Sequence, residues 1–161
     1  MSGAGIGLDP LTPADADALH AVLDDPELHA WTGGAPATAE QWREQVDRWQ
    51  TGRSPDGTAQ WLNWVVRDDA GHVVGHLQAT VTGSTAELAW VIGSRWQGRG
   101  YATAAARTAA GLLRAAGAET LCARIHPQHL ASQRVALALG LHDTGDVDAD
   151  GEHLWMGTAA D

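Results

Sequence analysis

Phenylalanine and lysine are missing from this chain of 161 residues, tyrosine and cysteine occur once each, and no apolar run approaches the roughly twenty residues that span a bilayer. Each absence excludes something. Without lysine there is no phosphate loop of the form G-x-x-x-x-G-K-[ST]. A lone Cys122 makes neither an internal disulfide nor a metal cluster, and its place in an apolar, strand-like run reads as a small core residue. Met1-Ser-Gly-Ala-Gly has neither the basic region nor the apolar segment of a signal peptide, so the expectation is a soluble, cytoplasmic protein with no membrane partner. Ten arginines against twenty acids leave a net charge of −10, which disfavours nucleic acid and draws cations to a suitably lined cleft. With no phenylalanine, eight tryptophans must supply aromatic volume, some in the core and some as pocket walls.

What is present reads as one domain, residues 1–161. A short strand over residues 4–8 leads to Thr12-Pro13-Ala14-Asp15, an N-cap with proline and an acid in the first turn, and so to a helix over 13–23. Thr38-Ala39-Glu40-Gln41 is a capping box for a second helix ending near Gly52, with Trp42, Val46 and Trp49 on one face. Strands follow at 60–67, 72–82 and 86–92, the last carrying Leu88, Trp90 and Ile92 in alternation. A turn with Gly98 and Gly100 then opens an alanine-rich helix running to Gly117. A strand over 120–125 should lie parallel to 86–92, because a helical crossover joins parallel neighbours. A short helix over 132–139 and a hairpin of 141–147 and 152–156 complete the order. The fold class is α/β in the α+β sense.

The strand, glycine loop and helix around residues 86–117 form an anion site in principle. Glycines let the backbone approach a ligand, and the first N–H groups of a helix have no partner inside it. The spacing excludes the dinucleotide fingerprint, since Thr103 stands three after Gly100. Gln97-Gly98-Arg99-Gly100-Tyr101-Ala102 resembles instead the Q/R-x-x-G-x-G/A loop of the GCN5-related N-acetyltransferases (GNAT), in the form found in the branch that modifies ribosomal-protein N-termini. A second block, from Ala123 through His129 and Ser132 to Leu139-Gly140-Leu141, resembles the family's strand, N-x-x-S and helix. His129 stands where asparagine is usual, and Ala136 where many members carry a proton-donating tyrosine.

The resemblance implies a mixed sheet of six to seven strands, splayed between the fourth and fifth, with four helices and acetyl-CoA in the gap. The backbone at Val91 and Ile92 would then hold the pantetheine arm and thioester oxygen, and Gln97, Gly98, Arg99, Gly100, Tyr101 and Ala102 the pyrophosphate, with His129 and Ser132 on the cofactor side. Direct transfer needs a neutral amine and a proton for the departing thiolate. Glu87 is the first candidate base, with His76 and His129 next, and Ser132 the candidate acid. Trp31, Trp42, His76, Glu87 and Trp155, with acids among residues 146–152, are expected to wall the acceptor site, since indole faces and carboxylates suit a cation. No histidine set resembles a zinc site, so no metal is expected. The reading is transfer from acetyl-CoA, with CoA as product, to a primary amine of a small cationic metabolite. A protein N-terminus as acceptor, or an acyl-CoA sensor without turnover, are the alternatives, and a homodimer is left open as the assembly.

Overall fold

The computed structural model describes residues 6–25, 27–28 and 37–159. Strands β1 (Ile6–Pro10), β2 (Gln60–Asp68), β3 (Val73–Thr82), β4 (Thr85–Ile92), β5 (Thr120–Ile125), β6 (His142–Val147) and β7 (His153–Thr158) form one sheet in the order β1-β2-β3-β4-β5-β7-β6. Among the described residues there are four α-helices: α1 (Ala16–Leu23), α2 (Ala39–Trp49), α3 (Tyr101–Ala115) and α4 (Leu130–Ala138). None is long and apolar enough to cross a membrane.

The caps act as the sequence suggests at α2, where Gln41 N–H donates to Thr38 Oγ1 at 3.1 Å and Thr38 N–H to Gln41 Oε1 at 2.8 Å. Ahead of α1, Asp15 accepts from Thr12 N–H at 2.9 Å, and a 3-10 turn over Pro13–Asp15 leads into the helix. At α4 the expectation is off by two residues: the helix begins at Leu130, because His129 rather than Ser132 is its N-cap.

Helices cover both faces of the sheet, giving a core on each side. α1 and α2 bury Leu19, Leu23 and Val46 against Val65 and Val73. On the other face, Ala105, Ala106, Ala109 and Ala110 of α3 are buried against Leu88, Leu121 and their neighbours; small side chains there bring the helix axis close to β4. Trp64 and Trp155 contribute the aromatic volume that phenylalanine would otherwise supply. Cys122 is a buried free thiol.

The β4–β5 pair is the only parallel one in the sheet among the described residues, and it is short. Thr85↔Thr120, Ala86↔Leu121 and Glu87↔Cys122 are paired, after which residues 88–92 and 123–125 part. Each strand keeps a full ladder on its other edge, β4 with β3 and β5 with β7.

Gly75 holds β3 close to the parted end of β4. A Cβ there would overlap the carbonyl oxygen of Val91 and lie 2.6 Å from Ile92 Cδ1. Gly75→Ala should therefore cost about 1–3 kcal/mol, as overpacking of a tight site does, seen as a lower denaturation midpoint at unchanged m. A midpoint equal to that of the unmodified chain would mean that the contact relaxes freely.

His76, on β3, is buried beneath α2. It stacks on Trp49 at 5.0 Å between ring centroids, meets Trp42 edge-on at 6.2 Å, and its Nε2 lies 2.9 Å from Asn63 Oδ1, which makes Nε2 the protonated nitrogen. Burial holds its pKa down at about 4. The imidazole is thus neutral in the fold and ordinary, at 6.5, in the unfolded chain. The stability linked to it is complete above pH 6.5 and is lost as pH falls from there toward 4, at up to about 1.4 kcal/mol per pH unit. Urea unfolding from pH 7 to 5 should show this slope, and His76→Gln should flatten it. Equal slopes in the two proteins would show that His76 does not set the dependence.

Candidate active site

The parting of β4 and β5 opens a cleft of about 910 Å³. One wall is β4 itself. Gly93 N–H donates to Val74 O at 2.8 Å, so alternation along the strand turns the N–H and C=O of residues 89 and 91 toward β3 and those of Trp90 and Ile92 toward the gap. Val91 lines the cleft, but its amide is engaged with β3; Trp90, not singled out from the sequence, presents its backbone beside Ile92. The strand's parity held that signal, but the residue facing β3 had to be known first.

Beyond Ile92, a 3-10 turn over Ser94–Trp96 leads to the glycine loop. Gln97 Nε2 donates to Ile92 O at 2.9 Å and ties the loop to the strand end. Gly98 and Gly100 have φ of 77° and 83°, the left-handed region, and an added Cβ at either would meet nothing within 4 Å. The glycines are thus needed for backbone shape, and the space above them is open. Gly100 is the N-cap of α3 and no side chain caps it; the first helical bond is Ala104 N–H to Gly100 O, at 3.0 Å. The amides of residues 101–103 therefore have no acceptor within the helix. Gln97, Gly98, Gly100, Tyr101 and Ala102 line the cleft, while Arg99 is exposed and outside its lining. Trp96 lines it too, with the Arg95 guanidinium 5.3 Å from its ring centroid.

The facing wall comes from β5 and α4. His129 Nδ1 accepts from Ser132 N–H at 3.3 Å, which caps the helix, and Nε2 lies 3.3 Å from Ser132 Oγ. With Nδ1 accepting, the proton sits on Nε2 and is donated to Ser132 Oγ, leaving the hydroxyl hydrogen free for another acceptor. Burial, chiefly, lowers the His129 pKa below its ordinary value, so the ring is neutral near pH 7. Both residues line the cleft. Ala136 is fully buried in the core, and its position supplies no hydroxyl.

On the side of β5 and β7, Asp150 and Glu152 line the cleft from the β6–β7 turn. Asp148 Oδ1 accepts from the amides of Asp150 at 2.9 Å and Glu152 at 3.0 Å. Arg124 reaches Asp148 at 3.6 Å and Glu87 at 3.4 Å. Burial, then the charges of Asp148 and Asp150, raise the pKa of Glu152. The three carboxylates of the turn lie within 4.8 Å of one another.

Several residues expected at the site are elsewhere. Glu87 stands on the last paired rung, half exposed and held by Arg124, outside the cleft lining. His76 and Trp42 belong to the packing of α2 on β3, because their strand and helix faces point to that core. Trp155 pairs with Ala123 and so shares its buried face, only 7% exposed. Trp31 lies outside the described residues.

No curated protein matches the sequence. Among solved structures, the aminoglycoside acetyltransferase AAC(6')-Ib in complex with coenzyme A is 18% identical with a TM-score of 0.80, over 96% of this chain and 95% of that one. RimJ of Mycobacterium smegmatis, in complex with CoA-disulfide, is 24% identical with a TM-score of 0.80, over 98% and 84%. The spermidine N-acetyltransferase of Vibrio cholerae, in complex with CoA and spermine, is 12% identical with a TM-score of 0.77, over 96% and 95%. The family model described as the acetyltransferase (GNAT) domain matches residues 6–142, the span that builds the parted strands, the glycine loop and α4, and the chain belongs to that family of N-acetyltransferases.

Proposed function

We propose that this enzyme transfers the acetyl group of acetyl-CoA directly to a primary amine of a small cationic metabolite, polyamine-, aminoglycoside- or amino-acid-like. One observation carries the reading: a single cleft is lined by an open glycine loop and uncapped helix start on the β4 side, and by Asp150 and Glu152 on the side of β5 and β7. The first suits a pyrophosphate and the second an ammonium group. Solved relatives in the same fold hold kanamycin or spermine beside CoA, which supports an acceptor of this charge.

In this reading, amides of residues 98–102 and the start of α3 hold the pyrophosphate, and the N–H groups of Trp90 and Ile92 face the pantetheine arm and the thioester oxygen. An amide donor already aimed at the developing oxyanion needs no reorganisation during the reaction. Ser132, its Oγ accepting from His129, directs its own hydrogen to the departing sulfur. It stands in for the tyrosine that Ala136 lacks. The net charge of −10 supports small cations rather than nucleic acid as the enzyme's partners.

Three outcomes test this. Calorimetry should give a micromolar dissociation constant for acetyl-CoA, and thiol release should follow with spermine, kanamycin or a peptide with a free N-terminus; release with the peptide alone would move the acceptor to protein N-termini. Gly100→Asp should weaken acetyl-CoA at least tenfold, about 1.4 kcal/mol, and Gly100→Asn less, since only the first adds charge where the phosphates sit. Equal losses would point to backbone strain instead. Ser132→Ala should lower kcat by roughly ten- to a hundredfold with acetyl-CoA affinity within a few-fold, and full turnover with chemistry rate-limiting would remove Ser132 from the proton path.

A further inference from the structure

We propose that Glu152 is the base that takes the proton from the acceptor ammonium. The inference rests on the acetyltransfer reading above and names the group that reading leaves open, since Glu87 lies outside the cleft.

Four carboxylates gather at this end of the molecule, and their surroundings separate their roles. Glu87 is held by Arg124. Asp148 is committed to two amides and to Arg124. Asp150 is exposed at the tip of the turn. Glu152 alone of the four is both within the cleft lining and partly buried, and its carboxylate takes part in no hydrogen bond or ion pair among the described residues. Its backbone is fixed: its N–H donates to Asp148 Oδ1 and its C=O accepts from Asp148 N–H at 2.9 Å, locking the turn onto the start of β7. A base must be placed by its neighbours while its own oxygens stay free.

The charges facing Glu152 come from three places. Asp148 and Asp150, on its own turn, favour the protonated acid, as does burial; Arg124 of β5 and His126 beyond that strand oppose them. Burial and the two aspartates prevail, so Glu152 binds a proton more readily than an ordinary glutamate. The same two aspartates attract the ammonium to it. Proton uptake by Glu152 leaves the amine with a free pair; that pair forms the N–C bond to the thioester carbon, the C–S bond breaks, and the second proton of the attacking nitrogen passes by way of Ser132 Oγ to the departing sulfur, giving the neutral amide and the CoA thiol. Glu152 returns its proton to water once the amide departs.

The test uses the full chain, acetyl-CoA, and whichever of spermine, kanamycin or the free peptide it acetylates. For the unmodified enzyme, kcat/KM for the amine should fall on the acid side with a limb above the ordinary carboxylate range. Glu152→Gln should lower kcat by about a hundredfold or more, within the span of general base catalysis, erase that limb, and leave acetyl-CoA affinity within a few-fold. Asp150→Asn should keep the limb and move it to lower pH, because one like charge has gone, a response that a merely structural role for Glu152 would not give. Glu152→Asp should retain the limb at reduced kcat. Glu152→Gln with unchanged turnover, or with reduced turnover and an intact limb, overturns the inference alone. An unmodified chain that binds acetyl-CoA but acetylates none of the three amines overturns the acetyltransfer reading with it.

Discussion

The broken ladder between β4 and β5 is the constraint on which the rest of the molecule depends. Three paired rungs fix the two strands at one end, and beyond Glu87 and Cys122 their inner edges have no protein partner in each other. Unpaired backbone groups are costly when buried and cheap when a solvent or ligand can reach them, so the gap must stay open. What keeps it open is that neither strand needs the other: β3 pairs with β4 along its whole length, and β7 with β5 along all of Thr120–Ile125. The sequence order then matters. β7 is inserted between β5 and β6, so the last strand of the chain completes the fifth, and its leading turn brings Asp150 and Glu152 to the cleft.

Much of this was legible beforehand because it depends on local rules. Alternation set β4, the capping box at Thr38 set α2, and glycines at 98 and 100 set the loop, each through chemistry within a few residues. What was not legible depends on which side of a strand faces which layer. Trp155, Trp42 and His76 all looked like walls for a cation; cross-strand pairing with Ala123 sends Trp155 into the core, and the packing of α2 on β3 takes the other two. In a chain without phenylalanine the core claims its large aromatics first. The acids of residues 146–152 were likewise indistinguishable as a string. Only the turn, with Asp148 bonding its neighbours' amides, separates a structural aspartate from a glutamate with free oxygens.

The cleft's two sides meet opposite electrostatic demands within one acidic protein. In the proposed reading an anionic ligand binds to a chain of net charge −10, and the donors offered to it are the uncapped backbone amides at the start of α3, which add local positive potential without a lysine. Those partial charges act over a turn or so, and the carboxylates of the β6–β7 turn line the same gap from the side of β5 and β7.

His129 lines the same cleft, and its role follows from its tautomer. As an N-cap it must accept from Ser132 N–H through Nδ1, and this acceptance forces the proton onto Nε2. The ring therefore has one donor left, and geometry gives it to Ser132 Oγ. A protonated ring would lose the acceptor and with it the cap; burial works against that state by lowering the ring's pKa. Capping the helix and aiming the serine hydroxyl are thus one event. Asparagine, the residue usual here in the family the sequence resembles, can cap with its carbonyl and donate with its amide without any choice of protonation. Histidine does the same work only while neutral, so the helix start and the orientation of Ser132 share a single dependence on pH.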